Sequence, residues 1–207
     1  MKPGSNGGGY GMRIEYWRRY LRARAYELLR RPDAALAEYR AIAMQEPDNP
    51  RVLNAMGYRH AMRKEWSDAV RCFTSALAAT PRDPIAYFNL GFAEEARGEY
   101  EAAVAAFRKA VELNPKLDRA WYGLGMCSAK LGRHSDAVHA LTEAATLQPM
   151  NGIAWYALGM AHHANHTPDK VTEVVKHLFR FDPVMTRRLI QDSGRSDLAH
   201  LVEDLRV

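Results

Sequence analysis

An all-α solenoid of stacked antiparallel helix pairs is the fold this sequence predicts, and three recurrences carry the prediction. Prolines fall at Pro47, Pro81, Pro115, Pro149 and Pro183, each 34 residues after the last. Glycines fall in the same register at Gly57, Gly91, Gly125 and Gly159, each preceded by Met56, Leu90, Leu124 or Leu158. Alanines repeat at Ala35, Ala69, Ala103 and Ala137, with Tyr39, Phe73, Phe107 and Leu141 four residues on. Self-similarity at such a period marks units that bury their apolar face only by stacking on neighbours.

Each column has a physical reading. Leu53, Tyr87, Trp121 and Trp155 lie three residues before the Met/Leu column and four before the glycines, so all three columns share one helical face. A glycine inside a helix costs about 1 kcal/mol against alanine, which is tolerable where a second helix must approach closely. Ala69, Ala103 and Ala137 open that second helix, and Ala76, Ala110 and Ala144 follow the aromatic or leucine column. Gly98 and Gly132 fall between the two helices, where a left-handed C-cap is expected. The prolines end the second helix of each unit.

In this register the run Trp121-x2-Leu124-Gly125 … Ala137-x3-Leu141-x2-Ala144 … Pro149 resembles the tetratricopeptide repeat (TPR). The resemblance implies a TPR α-solenoid, a right-handed superhelix of helix pairs, closed by C-terminal capping helices. Full copies are expected at 50–83, 84–117 and 118–151. A degenerate copy at 152–185 keeps Trp155, Leu158, Gly159 and Pro183 but has Val171, Val175 and Leu178 in place of alanine, aromatic and alanine. A degenerate N-terminal helix pair is expected at 13–49, with Arg19 and Arg22 where large apolar residues belong. Pro32 and Pro168 suit the first turn of the second helix in these two end units. Residues 1–12 are read as a flexible tail. Residues 186–207 are read as capping helices, one started by Thr186 and one by Ser196, the latter carrying Leu198, Leu201, Val202 and Leu205 on one face.

Bulk properties narrow the function. The chain has 207 residues, 47% hydrophobic and 26% charged, an ordinary globular composition. No apolar run approaches the roughly 18 residues needed to span a membrane, and the first twelve residues contain no apolar signal core, so a cytoplasmic location is expected. The formal net charge of +5 is concentrated between Arg13 and Arg31, where seven arginines face Glu15 and Glu27. That placement excludes a uniformly basic nucleic-acid-binding surface. Cys72 and Cys127 form no metal-type spacing and are expected as reduced, half-buried thiols.

In the TPR family the first-helix face beside the buried one lines the concave surface. Here that stripe reads Asn54, Tyr58 and Ala61; Phe88, Phe92 and Glu95; Tyr122, Met126 and Ala129; Tyr156, Met160 and His163. Aromatic and methionine side chains in such a stripe suit an amphipathic helix or an extended apolar segment of a partner. Arg51, Arg119 and Lys130 are expected near the rim, giving a weak preference for acidic character in the ligand. A TPR subclass clamps the C-terminal carboxylate of heat-shock chaperones with Lys/Arg and Asn positions. Only Asn89 and Arg119 match that set, while Asn54, Tyr58 and Gly123 stand where Lys, Asn and Arg belong. A heat-shock C-terminus is therefore an unexpected partner.

Other candidates carry less. His162 and His166 share a helical face in HHANH, but no carboxylate or thiol completes a ligand shell, so no metal and no cofactor is expected. The GGGYG run at 7–11 has neither a preceding strand nor a following Lys-Ser/Thr, so it is not a phosphate loop. No nucleophile and base arrangement supports catalysis. The segment 13–31 forms a basic helix with Trp17, Tyr20, Leu21, Ala25 and Leu28 on an apolar stripe. The sequence thus predicts a non-catalytic adaptor that binds a peptide or helix of another protein in an aromatic groove, in assembling a larger complex. The alternatives are self-association through groove and terminal helix, or tethering to an anionic membrane or nucleic acid through helix 13–31.

Overall fold

The structure, a computed structural model, describes residues 7–202, with side chains from residue 13. All regular secondary structure among them is helical, and the chain forms two compact units, residues 1–93 and 94–207.

The first unit contains α1 (Gly7–Leu28), α2 (Pro32–Ala43), α3 (Pro50–Met62), α4 (Trp66–Ala79) and α5 (Pro84–Arg97) as far as Ala93. Residues 7–12, expected in a flexible tail, are the first turns of α1. Once a helix is nucleated, each added residue contributes one backbone hydrogen bond, so a Gly-rich leader is drawn in. Ala23, Ala35, Tyr39, Ile42 and Val52 form the core of α1–α3. Arg19 and Arg22, out of place for an apolar column, both reach Glu38 of α2, at 3.4 and 3.2 Å. The Tyr39 hydroxyl donates to Glu27 at 3.1 Å, and Arg59 of α3 sits 3.1 Å from the same carboxylate. Burial, then the Glu27 charge, pushes the Tyr39 phenol well above its ordinary range. Ala69, Phe73 and Ala93 make a second cluster, into which the Phe73 ring enters against Gly57. A Cβ on Gly57 would lie 2.7 Å from that ring.

The second unit holds the end of α5, then α6 (Tyr100–Leu113), α7 (Asp118–Lys130), α8 (His134–Leu147), α9 (Gly152–Ala164), α10 (Pro168–Leu178), α11 (Pro183–Asp192) and a 3-10 helix (Ser196–Leu201). The glycines mark the close crossings again: a Cβ on Gly125 would come within 2.5 Å of Leu141, and one on Gly159 within 2.5 Å of Leu189. Val171, Val175 and Leu178, the departures from the repeat pattern, are fully buried and join the core with Leu158, Leu189 and Ile190. Trp121 and Trp155 each donate the indole N–H to a proline carbonyl six residues upstream, Pro115 and Pro149, at 2.9 Å. The large aromatic thus pins the inter-repeat loop while its ring covers the helix pair.

Two periodic features were not anticipated. Asn49, Asp83 and Asn151 cap α3, α5 and α9, each accepting two backbone N–H groups of the first turn. Small residues at Ala86, Ala120 and Ala154, and at Ala93, Cys127 and Ala161, are buried on a further face of the first helices. The inter-helix turn is left-handed throughout: Gly98 and Gly132 have φ of +82° and +71°, and Arg30, Lys64 and His166 adopt the same conformation at +55°, +60° and +56°.

The C-terminus departs from expectation. Asp182, not Thr186, caps α11, accepting the Met185 N–H at 3.0 Å. Pro183 sits in the first turn of α11 rather than merely closing α10. Thr186 is fully buried and its hydroxyl donates back to the Asp182 carbonyl, so it cannot serve as a cap. From Ser196 the chain forms a 3-10 helix in which Leu198 is buried, and Val202, just after it, is buried too. The tighter winding eclipses i and i+3, which breaks the amphipathic α-helical face. Leu205 lies outside the described residues.

Candidate functional site

Side chains forecast for the partner face are exposed or half-buried, not core. In the first unit, Tyr58 on α3 is 47% exposed and Phe92 on α5 is 48% exposed. The Arg59 guanidinium lies 5.0 Å from the Tyr58 ring centroid, and Phe92 meets Trp66 edge-on at 6.0 Å. Phe88 and Asn54 are half-buried. The Asn54 Oδ1 is buried with no hydrogen-bond partner among the described residues.

In the second unit the forecast residues line a cleft. Tyr122, Met126 and Ala129 of α7 form one wall, and Tyr156 and Met160 of α9 form the next. The cleft has a volume of about 510 Å³. The further lining residues, not foreseen, include His134 of α8, and Met185 and Arg188 of α11. The two on α11 reach the cleft because the capping helix packs on α9, with Leu189 seated against Gly159. No repeat signature marks them. The Tyr156 hydroxyl donates to Asp192 at 2.6 Å, while the Arg188 guanidinium lies 5.0 Å from the Tyr156 centroid and 3.5 Å from Asp192. Arg119, Lys130 and His163 are exposed on α7 and α9, outside this lining.

Glu95, at the end of α5, is half-buried, and among the described residues its carboxylate has neither hydrogen bond nor ion pair. Burial raises its pKa. Tyr122 and Cys127 lie close enough to feel its charge. Burial first, and Glu95 second, raises the Tyr122 phenol and pushes the Cys127 thiol up to about 12. Both cysteines are free and buried rather than half-buried.

The histidine cluster is structural where it is ordered by contacts. His162 Nδ1 is 3.0 Å from the Thr167 hydroxyl, and burial lowers its pKa. His60, Glu65 and Asp68 place one ligand atom each within 4.8 Å of one another. Their carboxylates are already engaged, Glu65 by His60 at 2.6 Å and Arg63 at 3.0 Å, Asp68 by Arg71 at 2.5 Å. No helix among the described residues is long and apolar enough to cross a membrane.

These helix pairs, their glycine crossings and their open first-helix face define a repeat solenoid built for contact with other chains. Two tetratricopeptide-repeat family models match residues 54–118 and 94–159, together about half of the chain, and the protein belongs to the tetratricopeptide-repeat family. Solved structures share the fold. A crystal structure of MamA protein is 21% identical, with 89% of this chain and 96% of that one aligned at a TM-score of 0.74. YrrB, described as a TPR protein with an unusual peptide-binding site, is 19% identical, with 86% and 90% aligned at 0.76. MamA 41-end from Desulfovibrio magneticus RS-1 is 19% identical, with 86% and 96% aligned at 0.73. No curated protein matches the chain in sequence.

Proposed function

We propose that this protein is a non-catalytic adaptor that holds a helical or extended apolar segment of another polypeptide against the open face of its first helices. The observation that carries this reading is the cleft of about 510 Å³ lined by Tyr122, Met126, Tyr156 and Met160. Concave apolar surface with flexible methionines and rigid aromatics is the composition of protein-recognition sites. Tyr58, Phe88 and Phe92 offer a similar patch on the first unit. Exposed Arg51, Arg119 and Lys130 favour acidic residues flanking the apolar anchor. YrrB, described as a TPR protein with an unusual peptide-binding site, supports the same use of this fold.

The test is capture from native lysate with the wild type, with Phe88→Ala/Phe92→Ala, and with Tyr122→Ala/Met160→Ala, all matched for helicity by circular dichroism. A partner held by the wild type and lost by either pair locates the binding face on that unit. Identical capture by all three removes the reading.

A further inference from the structure

We propose that α1 is an interfacial helix that docks the protein on an anionic membrane surface through its outward face. The inference is independent of the adaptor reading. A helix of this kind in a packed unit should show one apolar face, directed inward. α1 shows two. Inward, Ala23 is fully buried and Tyr20 packs edge-on against Tyr39 at 6.1 Å. Outward, Ile14, Trp17, Leu21 and Leu28 are 61%, 46%, 63% and 86% exposed. The four span about 21 Å along the axis at 1.5 Å per residue and fall within about 40° of Leu21 at 100° per residue.

The charges are arranged around that row. Arg18 and Arg24 project about 60° to either side of Leu21; their side chains are 71% and 60% exposed, Arg18 lying 3.6 Å from Glu15 and Arg24 2.5 Å from Glu27. Arg13, on the Arg24 side, is exposed too. An apolar row bordered by guanidinium groups on both sides matches a layered interface. Apolar side chains enter the acyl boundary, Trp17 sits at headgroup depth, and arginines extend to the phosphates. A second copy of the helix fits poorly, because pairing would bring two arginine borders together. The basic rim of Arg119 and Lys130 disfavours docking into another copy in the same way. RNA would use the arginines but leave Ile14, Leu21 and Leu28 in water.

The experiment is flotation of the full chain with vesicles of phosphatidylcholine alone and of phosphatidylcholine mixed equally with phosphatidylglycerol. The expected result is binding to the mixed vesicles only, weakened by salt. Arg18→Glu/Arg24→Glu and, separately, Leu21→Gln/Leu28→Gln should each lower the bound fraction at least tenfold. Circular dichroism checks that both variants keep the helicity of the wild type. Tryptophan emission should shift to the blue on vesicle addition in the wild type and not in Trp17→Phe. Absence of binding to the mixed vesicles overturns the proposal. So does binding that the leucine changes leave intact, or a short RNA duplex that binds where the vesicles do not.

Discussion

The Tyr156 hydroxyl donates a 2.6 Å hydrogen bond to Asp192, tying the lining of the cleft on α9 to the last residue of the capping helix α11. This bond, with burial second, raises the Tyr156 phenol. Asp192→Ala should bring the phenol back toward its ordinary titration, read by ultraviolet difference absorbance at alkaline pH. It should also cost about 1 kcal/mol in urea unfolding, the usual net worth of such a bond. An unchanged phenol titration would mean that the two residues do not meet in solution.

The Gly125 crossing predicts a loss where helix propensity alone predicts a gain. Alanine inside a helix is favoured by about 1 kcal/mol. Yet the new Cβ would sit 2.5 Å from Leu141 Cγ and 3.2 Å from the Leu141 backbone nitrogen. Overpacking of that kind costs about 1–3 kcal/mol, so Gly125→Ala should be net destabilising. In a Leu141→Ala background the same change should become neutral or stabilising, which a double-mutant cycle by chemical denaturation detects.

The left-handed turn column makes the opposite forecast. Lys64 and His166 hold φ of +60° and +56° at positions where Gly98 and Gly132 stand elsewhere. A left-handed side-chain residue costs about 1–2 kcal/mol, partly offset by about 0.5–1 kcal/mol of glycine entropy. Lys64→Gly and His166→Gly should each raise the unfolding free energy by roughly 0.5 kcal/mol or more on that balance. A fall in either midpoint would contradict the forecast.

Glu95 sets a pH dependence. Its folded-state pKa lies above the unfolded one because burial disfavours the carboxylate. Its favourable contribution is therefore complete below the unfolded pKa and fades as pH rises through the folded value. Glu95→Gln should accordingly stabilise the protein at neutral pH, and the advantage should shrink as the pH falls toward 4.5, the group's ordinary value. Thermal midpoints of both proteins across that range measure it.

The thiols report on opening. With Cys127 pushed to about 12 and Cys72 also raised, chiefly by burial, neither offers much thiolate at neutral pH. Disulfide-exchange reagents should label both slowly in the native protein and rapidly in denaturant. Fast native labelling of Cys127 would mean that α7 is not packed as described.

Part of the lining of the candidate cleft was legible in the sequence because the TPR register assigns each first-helix position to a face. Tyr58, Phe92, Tyr122 and Met160 all stand exposed or half-buried where that register put them. His134, Met185 and Arg188 escaped it, since they enter the cleft from the second helix of a pair and from the cap. Glu95 was visible as a residue but not as an unpaired carboxylate, which depends on what fails to surround it.

The 34-residue period by itself determined the helix pairs, the glycine column and the left-handed turns at Gly98 and Gly132, because these are short-range consequences of local spacing. The C-terminus is different. α11 starts at Pro183, three residues before the first helix of a further repeat would begin, and it is held by Leu189 against Gly159 and by Asp192 against Tyr156. The outward row on α1 is likewise a product of packing. Sequence placed Trp17, Tyr20 and Leu21 on one stripe, but Tyr20 turned inward to Tyr39 and left Trp17 and Leu21 in solvent. Which side of a doubly apolar helix is buried is decided only by the neighbour it meets, and periodicity carries no record of that neighbour.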